Sequence, residues 1–394
     1  MRNLGVVARG LRTPIIKKGD NLLEIMVDTL DRVHREDNIE FRDMDVIAIT
    51  ESILARAQGN YATIDQIKSD FDKKFKDEIG VVFPITSRNR FSIIMKAIAE
   101  TDKKVKIFFN FPSDEVGNSL FDKSLLIGKD INIYTDILDE KQFRDLVGEK
   151  NYHIFTGIDY VDLYKGFRNN KDIEVYFTNN PEQIAKLSKE IIICNIHDRI
   201  YYKNVFKELG LKTVLSLDDM LNEPVGGSGC NELYGLYGSN LSSEDSIKLF
   251  PRDSQEFVEK LQKELIKKYN VNFQVMIYGD GAFKDPVGKI WELADPVVSP
   301  GFTKDLQGTP NELKIKYIAD TDLKDLNADE ALVTLKDRIS NKNKNLVGNN
   351  ASLGTTPRQI TDLLGSLSDL VSGSGDKGTP AVLVQGYFDN FASN

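Results

Sequence analysis

The sequence has few of the residues from which many metal sites and nucleophilic sites are built. Its 394 residues include three histidines and two cysteines. His34, His153 and His197 are scattered singly, which argues against a histidine metal site or a Ser-His-Asp triad. Cys194 and Cys230 lie in different segments without a CxxC pattern, which predicts a reducing, cytoplasmic environment. A metal ion in this protein is therefore expected to be Mg²⁺ or Mn²⁺, held by carboxylates and carbonyls.

Long apolar runs and an excess of positive charge are also absent. No run of 18 apolar residues exists, so no membrane span is expected, and neither is a secretory signal. The net charge is −9, whereas a nucleic-acid-binding protein needs a basic face. Between residues 70 and 225 neither GxGxxG nor GxxxxGK[ST] occurs, which excludes a Rossmann fingerprint and a Walker loop there. Phosphorylated small molecules stay compatible, because they need only local positive groups.

What the sequence does contain predicts an α/β fold. NLLEIMVDTLDRV, residues 21–33, has helical periodicity with Asp20 as its N-cap, and MDVIAIT, residues 44–50, is typical of a buried strand. From about residue 70 to 225, short apolar runs alternate with helical patterns, which predicts a mainly parallel sheet. These runs are VVFPI, VKIFFNF, INIYTDI, HIFTGI, IEVYFT, EIIICNI and TVLSL.

A glycine-rich segment from Pro224 marks a boundary between two parts of the chain. After it, SQEFVEKLQKELIKKYN predicts an amphipathic helix, VNFQVMIY a strand, TPRQITDLLGSLSDLV a second helix and AVLVQGYF a final strand. The predicted domains are residues 1–68, 69–225 and 226–394. The first and last form an α+β core, and the middle one is a βαβ-type insertion.

Two segments near the N-terminus suit the binding of phosphate. RGLRTP places Arg9 and Arg12 around a turn, and guanidinium groups match phosphate or carboxylate oxygens in bidentate fashion. In ITESILARAQG a strand ends at Thr50, and Ser52 and Arg56 follow it, as in phosphate sites at the start of a helix. The alternatives are a solvated turn for the first segment and ordinary helix capping for the second.

The stretch GDGAFKDPVGKIWELADP, residues 279–296, follows the predicted strand VNFQVMIY. Asp280 lies between two glycines at the carboxyl end of that strand, where α/β folds carry ligands. Lys284 suits a phosphate, and Asp285, Glu292 and Asp295 offer further oxygens to a metal. The alternative is a tight turn, since Asp-Gly is also typical of hairpins.

Taken in order, several segments resemble the coenzyme F420-0:L-glutamate ligase (γ-glutamyl ligase) family. They are RGLRTPIIKKGDNLLEI, FRDMDVIAITESILARAQGN, YGLYGSN with IKLFPRDSQEFVEKLQKEL, VMIYGDGAFKDPVG, and the closing ITDLLGSLSDLVSGSGDKGTPAVLVQG. The chain resembles a divergent member with a long internal insertion. Two positions depart from the motifs: Ser52 stands where the family has a first lysine, and Tyr237 where it has a metal-binding aspartate. Arg56 stands at the place of a second lysine.

The resemblance implies that Asp280 is the strand-end metal ligand and that Asn240 contacts the nucleotide, and the other roles in the following predicted site are hypotheses from the residues themselves. Asp280, Lys284 and Arg56 are the catalytic residues. Asp280, Asp285 and Glu292 hold the metal, with Glu232 and Asp295 as other replacements for the acid missing at Tyr237. The nucleotide and its phosphates contact a larger set, which is Arg9, Gly10, Leu11, Arg12, Glu51, Ser52, Ser239, Asn240 and Gly281.

The resemblance also implies the activity. A GTP-dependent acid–amino-acid ligase would add L-glutamate, in γ-glutamyl linkage, to a phosphorylated deazaflavin-like acceptor through an acyl phosphate, with Mg²⁺ or Mn²⁺. A cytoplasmic homodimer is expected, without nucleic-acid or membrane partners. Two alternatives stay open: a non-catalytic nucleotide- or phosphometabolite-binding protein, and an amino-acid ligase for a different carboxylate acceptor.

Overall fold

The computed structural model describes residues 4–87, 90–115, 117, 119–153, 157–168, 173–279, 283–284, 291–292, 299–352, 359–372 and 375–393. Its helices are α1 (Leu22–Glu36), α2 (Glu51–Gln58), α3 (Ile64–Lys74), α4 (Phe91–Ala99), α5 (Glu140–Val147), α6 (Tyr160–Gly166), α7 (Pro181–Leu187), α8 (Arg199–Glu208), α9 (Ser254–Tyr269), α10 (Ile315–Asp320), α11 (Ala328–Ser340) and α12 (Ile360–Val371).

The strands are interleaved with these helices. They are β1 (Val7–Leu11), β2 (Val46–Thr50), β3 (Tyr61–Thr63), β4 (Glu78–Val82), β5 (Lys104–Phe109), β6 (Ile137–Asp139), β7 (Ile173–Thr178), β8 (Glu190–Ile193), β9 (Thr213–Ser216), β10 (Asn240–Ser243), β11 (Ser246–Lys248), β12 (Gln274–Tyr278), β13 (Phe283–Lys284), β14 (Trp291–Glu292), β15 (Gly301–Phe302) and β16 (Ala381–Gln385). The α/β class predicted from the sequence is confirmed.

One sheet has five strands in the order β1-β16-β2-β12-β15. Its strands come from both ends of the chain, and β2 and β12 run parallel at its centre. Both faces are covered, so successive residues alternate between two cores. Ile47 and Ile277 pack with α1 and α9 on one face, while Ala48 and Met276 pack with Leu364 of α12 on the other. Each fully buried aliphatic side chain of this kind stabilises the fold by about 1.5–3 kcal/mol.

A second sheet has six strands in the order β6-β7-β5-β4-β8-β9. Neighbouring strands are parallel except at its edge, where β6 is antiparallel to β7. This matches the mainly parallel sheet predicted for residues 70–225. Helices cover both faces, and an aromatic stack of Phe143 on Phe177, with ring centroids 3.8 Å apart, fills one of the two cores.

A small sheet with the order β10-β11-β3 joins these two parts of the molecule. It pairs Tyr61 with Lys248, residues far apart in the chain. Ala62, Ile247 and Leu249 belong to the same buried cluster as α4 and the six-stranded sheet. The domain boundaries at 68/69 and 225/226 stay a prediction. Among the described residues, no helix is both long enough and apolar enough to cross a membrane.

Two predicted details are wrong. The N-cap of α1 is Asn21, whose side chain accepts from the backbone N of Glu24, while Asp20 accepts from the backbone N of Lys17 (2.6 Å). INIYTDI is not a strand before Ile137, because Asn132 and Asp136 close a turn through hydrogen bonds to nearby backbone N–H groups. Within HIFTGI, residues 154–156 lie outside the described part of the chain.

Candidate functional site

A cleft opens where the two central strands of the five-stranded sheet end. Because β2 and β12 are parallel, with Thr50 beside Tyr278, both strands deliver their carboxyl ends to the same edge. Glu51 then begins α2, and Gly279 follows β12. The cleft has a volume of about 700 Å³. Its lining is Thr13, Pro14, Ile15, Ile16, Thr50, Glu51, Ser52, Ile53, Arg56, Asn240, Leu241, Lys248, Tyr278, Gly279, Asp369, Ser372, Gly378 and Pro380.

The small sheet supplies a second wall of the cleft. Asn240 on β10 pairs with Lys248 on β11. The segment that leads into β10 turns at Gly238, whose φ is +70°. An added Cβ at this position would lie 1.7 Å from Phe250 Cε2, so only glycine fits. The glycine before Ser239 and Asn240 thus sets where these two residues enter the site.

A buried cation sits in the cleft beside α2. Lys248 is 8% exposed, and its Nζ donates to Ser52 Oγ (2.6 Å) and to Glu51 Oε1 (3.3 Å). Lys248 is not among the site residues predicted from the sequence. The signal that could have identified it is its position between two apolar residues, Ile247 and Leu249, which are both fully buried. Charged side chains are rarely found in such a position. Its partners could not be identified from the sequence, since they are almost 200 positions away.

Four of the predicted site residues meet in this cleft. Glu51, Ser52, Arg56 and Asn240 all line it. Arg56 is exposed to solvent, and no side-chain ion pair or hydrogen bond of Arg56 is found among the described residues. An arginine in this state is available to a carboxylate or phosphate.

The predicted residues of β1, and Arg12 directly after it, lie elsewhere. Arg9 donates to Gln385 Oε1 (2.7 Å), and Leu11 is buried in the core with α1. Gly10 packs against Thr379, 3.0 Å from where a Cβ would be. Arg12 is exposed and its Nε donates to the Lys377 carbonyl (3.4 Å). None of these four residues belongs to the described lining of the cleft, although the next residue, Thr13, does.

The remaining predicted residues are placed only in part. Ser239 is buried, and it lines a small cavity of about 40 Å³ next to the site. The backbones of Lys284 and Glu292 lie in the paired strands β13 and β14. Glu232 is exposed. Asp280, Gly281, Asp285 and Asp295 lie outside the described residues.

Tyr237, which the resemblance aligns with a metal-binding aspartate, has a structural role. Its hydroxyl donates to the carbonyls of Asn195 (2.7 Å) and Ile193 (3.3 Å). Burial raises the pKa of this phenol well above its ordinary value. The Arg199 guanidinium lies 5.1 Å from the ring centroid. A neutral tyrosine held in this way does not replace a carboxylate as a metal ligand.

The described residues supply part of a metal site. Carboxylates that line the cleft are Glu51 and Asp369. Among described residues there is no group of three or more His, Cys, Asp or Glu side chains placed to hold a metal ion. The donor set is of the oxygen type that Mg²⁺ prefers, but it is not complete without further ligands.

Comparison with known families gives one match. The model of the family described as F420-0:Gamma-glutamyl ligase matches residues 10–386, which include the cleft lining and both large sheets apart from the first three residues of β1. No curated protein matches the chain. The match covers nearly the whole chain, in agreement with the motifs that resemble this family. The chain therefore belongs to the F420-0:gamma-glutamyl ligase family, whose members are ligases that add glutamate in F420 biosynthesis.

Proposed function

We propose that the protein is a nucleotide- and metal-dependent amide ligase that joins L-glutamate, in γ-glutamyl linkage, to a phosphorylated deazaflavin-like acceptor. GTP is the proposed nucleotide. The observation that carries the proposal is the cleft at the shared end of β2 and β12. Polar and charged side chains from three separate segments, Glu51 to Arg56, Asn240 and Asp369, line it.

The proposed reaction has two steps. A carboxylate oxygen of the acceptor attacks the γ-phosphorus, the bond from the γ-phosphorus to the β–γ bridging oxygen breaks, and the nucleoside diphosphate leaves. The amine nitrogen of glutamate then attacks the carbonyl carbon of the acyl phosphate. Inorganic phosphate leaves, the nitrogen loses a proton, and an amide remains. This amide is a γ-glutamyl linkage where the activated carboxylate is the γ-carboxylate of a glutamate that the acceptor already carries. Both reactants are anionic, so the protein has to hold like charges together, and positioning provides much of the rate.

The residues that line the cleft suit this task. The exposed Arg56 guanidinium pairs with phosphate or carboxylate oxygens. The Asn240 amide, with both donors and an acceptor, holds the nucleotide, and buried Ser239 fixes the backbone before it. The Ser52 hydroxyl adds a polar group at the start of α2. We also propose that four residues outside the described lining of the cleft contact the nucleotide or the acceptor. They are Arg9, Gly10, Leu11 and Arg12.

The metal is proposed to be Mg²⁺ or Mn²⁺. When bound, it would neutralise charge on the phosphates. Glu51 and Asp369 are the described cleft carboxylates that are able to contribute to its site. Asp280 is the proposed metal ligand at the end of the strand, and Asp285 and Glu292 are proposed as further ligands. Lys284 and Gly281 are proposed to contact the phosphates.

A second candidate function is nucleotide or phosphometabolite binding without catalysis. The structural role of Tyr237 favours it, because this position provides no acid. A ligase for a different carboxylate acceptor is a third candidate. We also propose a cytoplasmic homodimer, which size-exclusion chromatography with light scattering would test.

The test is a ligation assay with the purified chain. The reaction contains L-glutamate, the F420-0 acceptor, either GTP or ATP, and either Mg²⁺ or Mn²⁺. The product is identified by mass spectrometry, and phosphate release is measured in parallel. We expect a product one glutamate heavier, and Asp280→Asn should abolish turnover without changing the melting temperature. Binding without phosphate release across several acceptors would support the non-catalytic candidate. Turnover in Asp280→Asn at the wild-type rate would contradict the role of Asp280.

A further inference from the structure

Lys248 is a buried lysine whose ammonium group lies at a motif position that has lost its own lysine. Ser52 stands where the family motif has a lysine, and the Nζ of Lys248 lies 2.6 Å from Ser52 Oγ. The charge therefore reaches the start of α2 from another strand. We propose that Lys248 is the relocated cation of this site and that it contacts an anionic oxygen of the bound nucleotide or acceptor. The proposal rests on the function proposed above.

The backbone fixes the position of this ammonium group. Lys248 is the last residue of β11, the central strand of the small sheet, and it pairs with both Asn240 and Tyr61. Its neighbours Ile247 and Leu249 are fully buried and anchor the strand. Because both flanking residues are held in the core, the backbone of Lys248 is fixed, and the hydrogen bonds to Ser52 and Glu51 hold its ammonium group at the cleft wall.

Stability alone does not explain this ion pair. Taking an ammonium and a carboxylate out of water is costly, and the attraction between Lys248 and Glu51 (3.3 Å) roughly repays that cost. Apolar residues in place of a buried pair are often as stable. The pair lies at the wall of a 700 Å³ cleft, and a charge kept there against its desolvation cost is expected to have a ligand.

The ammonium group also has capacity for a ligand. It has three N–H donors, and Glu51 and Ser52 use two of them. In the described part of the chain no acceptor is found for the third. An acceptor in the cleft, which Lys248 lines, can take it.

The charge balance of the cleft supports this role. Its described lining contains two carboxylates, on Glu51 and Asp369, and two cations, on Arg56 and Lys248. A nucleoside triphosphate and a phosphorylated acceptor both bring negative charge, so the loss of either cation increases the repulsion between like charges in the cleft. A lysine provides a compact point charge of the kind that binds phosphate oxygens.

The experiment moves the cation back to the motif position. Lys248→Met removes it, and Ser52→Lys combined with Lys248→Met returns a lysine to α2. Lys260→Met is the matched control, since Lys260 is exposed on α9 and pairs with Glu256 of the same helix. Affinity for GTP with Mn²⁺ is measured by calorimetry, kcat and KM by the ligation assay, and folding by the melting temperature.

We expect Lys248→Met to lower kcat/KM by about 10²-fold and to weaken GTP binding about 10-fold. The double variant should recover most of both losses, and Lys260→Met should match the wild type. The double variant keeps a cation beside Glu51. If Lys248→Met alone does not fold, the double variant is compared with the wild type instead.

The outcomes separate this inference from the proposed function. If the wild type is a ligase and Lys248→Met has the same kcat/KM and GTP affinity, the inference is wrong and the proposed function stands. A loss that Ser52→Lys does not restore in a folded variant also overturns it, since a purely structural lysine behaves that way. A wild type that binds GTP through Lys248 without ligation supports the inference and contradicts the ligase. A wild type that binds neither GTP nor the acceptor overturns both.

Discussion

The two large sheets use the polar residues at their carboxyl edges differently. In the five-stranded sheet, the ends of β2 and β12 open into a cleft whose lining includes an exposed arginine and a buried Lys248–Glu51 pair. At the corresponding edge of the six-stranded sheet, the acidic side chains that follow β5 contact the protein itself. Asp114 accepts from the backbone N and the hydroxyl of Thr86 (3.1 and 3.0 Å), and Glu115 accepts from the backbone N of His197 (2.9 Å).

The comparison shows why fold alone does not locate a site. Strands of parallel sheets present their carboxyl ends to ligands in many α/β proteins. Here both sheets have such an edge, but the carboxylates of Asp114 and Glu115 already accept hydrogen bonds from the protein. A cavity of about 580 Å³ beside β6 has three carboxylates and no cation in its described lining, whereas the cleft of the five-stranded sheet has charges of both signs and therefore suits an anionic ligand. Substitutions in the six-stranded part should therefore change stability, and substitutions in the cleft should change activity.

The largest expected effect is on stability, from Arg144→Ala in the six-stranded part. Two nitrogens of Arg144 donate to Asp159 (2.6 and 3.2 Å), whose side chain is 4% exposed. Burial raises the pKa of Asp159, but hydrogen bonds from Arg144 and from backbone N–H groups outweigh it and lower the pKa overall. Removing Arg144 leaves a buried carboxylate without this partner. We expect the free energy of unfolding to fall by about 3–5 kcal/mol.

The measurement is urea unfolding, with Lys150→Ala as the control. Lys150 forms an ion pair with Asp162 at the surface, where such pairs contribute about 0–1 kcal/mol. Ligation by Arg144→Ala at a temperature where it stays folded should match the wild type. An equal loss of stability in both variants would contradict the contrast between buried and exposed pairs.

The next effect is on activity, from Arg56→Ala in the cleft. Because Arg56 is exposed and has no ion pair among described residues, its removal should leave the melting temperature unchanged. Loss of a cation aimed at phosphate or carboxylate should lower kcat/KM by about 10²-fold. Arg35→Ala is the control, since Arg35 is exposed on α1 and pairs with Asp31. An Arg56 variant with control-like activity would place the site elsewhere.

Much of the fold could be predicted because its information is local. The apolar periods of α1 and α9 and the buried runs of β2 and β8 each lie within one short segment. INIYTDI misled because its apolar residues alternate as in a strand, while Asn132 forms a local turn that competes with strand pairing. The sequence does not show whether a local side-chain hydrogen bond of this kind or the strand pairing that the apolar alternation predicts is the more stable.

The candidate site was predictable where it follows a strand directly or where a motif segment marks it, as YGSN does for Asn240. Glu51, Ser52 and Arg56 were found because they follow β2 in the chain. Lys248 was missed because its place beside Ser52 depends on the register of β11 against β3, a long-range pairing. Tyr237 was identified as a departure from the motif, but its bond to the Asn195 carbonyl depends on the packing between the small sheet and the six-stranded sheet.

The smallest expected effect is the pH dependence of the His197–Glu115 pair at the six-stranded edge. Glu115 accepts from His197 Nδ1 (2.9 Å), and this hydrogen bond raises the pKa of His197 above its ordinary value. A raised pKa in the folded state means that the pair stabilises the fold at pH below the unfolded value of about 6.5. That contribution is lost as the pH rises through the folded value. The effect should be small, because the His197 side chain is 49% exposed.

NMR titration of the His197 ring measures this directly, and Glu115→Gln should return its pKa toward the ordinary value. His153 provides the opposite sign within the same protein, since burial lowers its pKa and its neutral form is the one the fold favours. The ligation rate, in contrast, should not follow the titration of His197, because that residue pairs with Glu115 and does not line the cleft. A pH–rate profile that shifts with Glu115→Gln would show that the six-stranded edge takes part in the reaction, and the division between the two sheets would then be wrong.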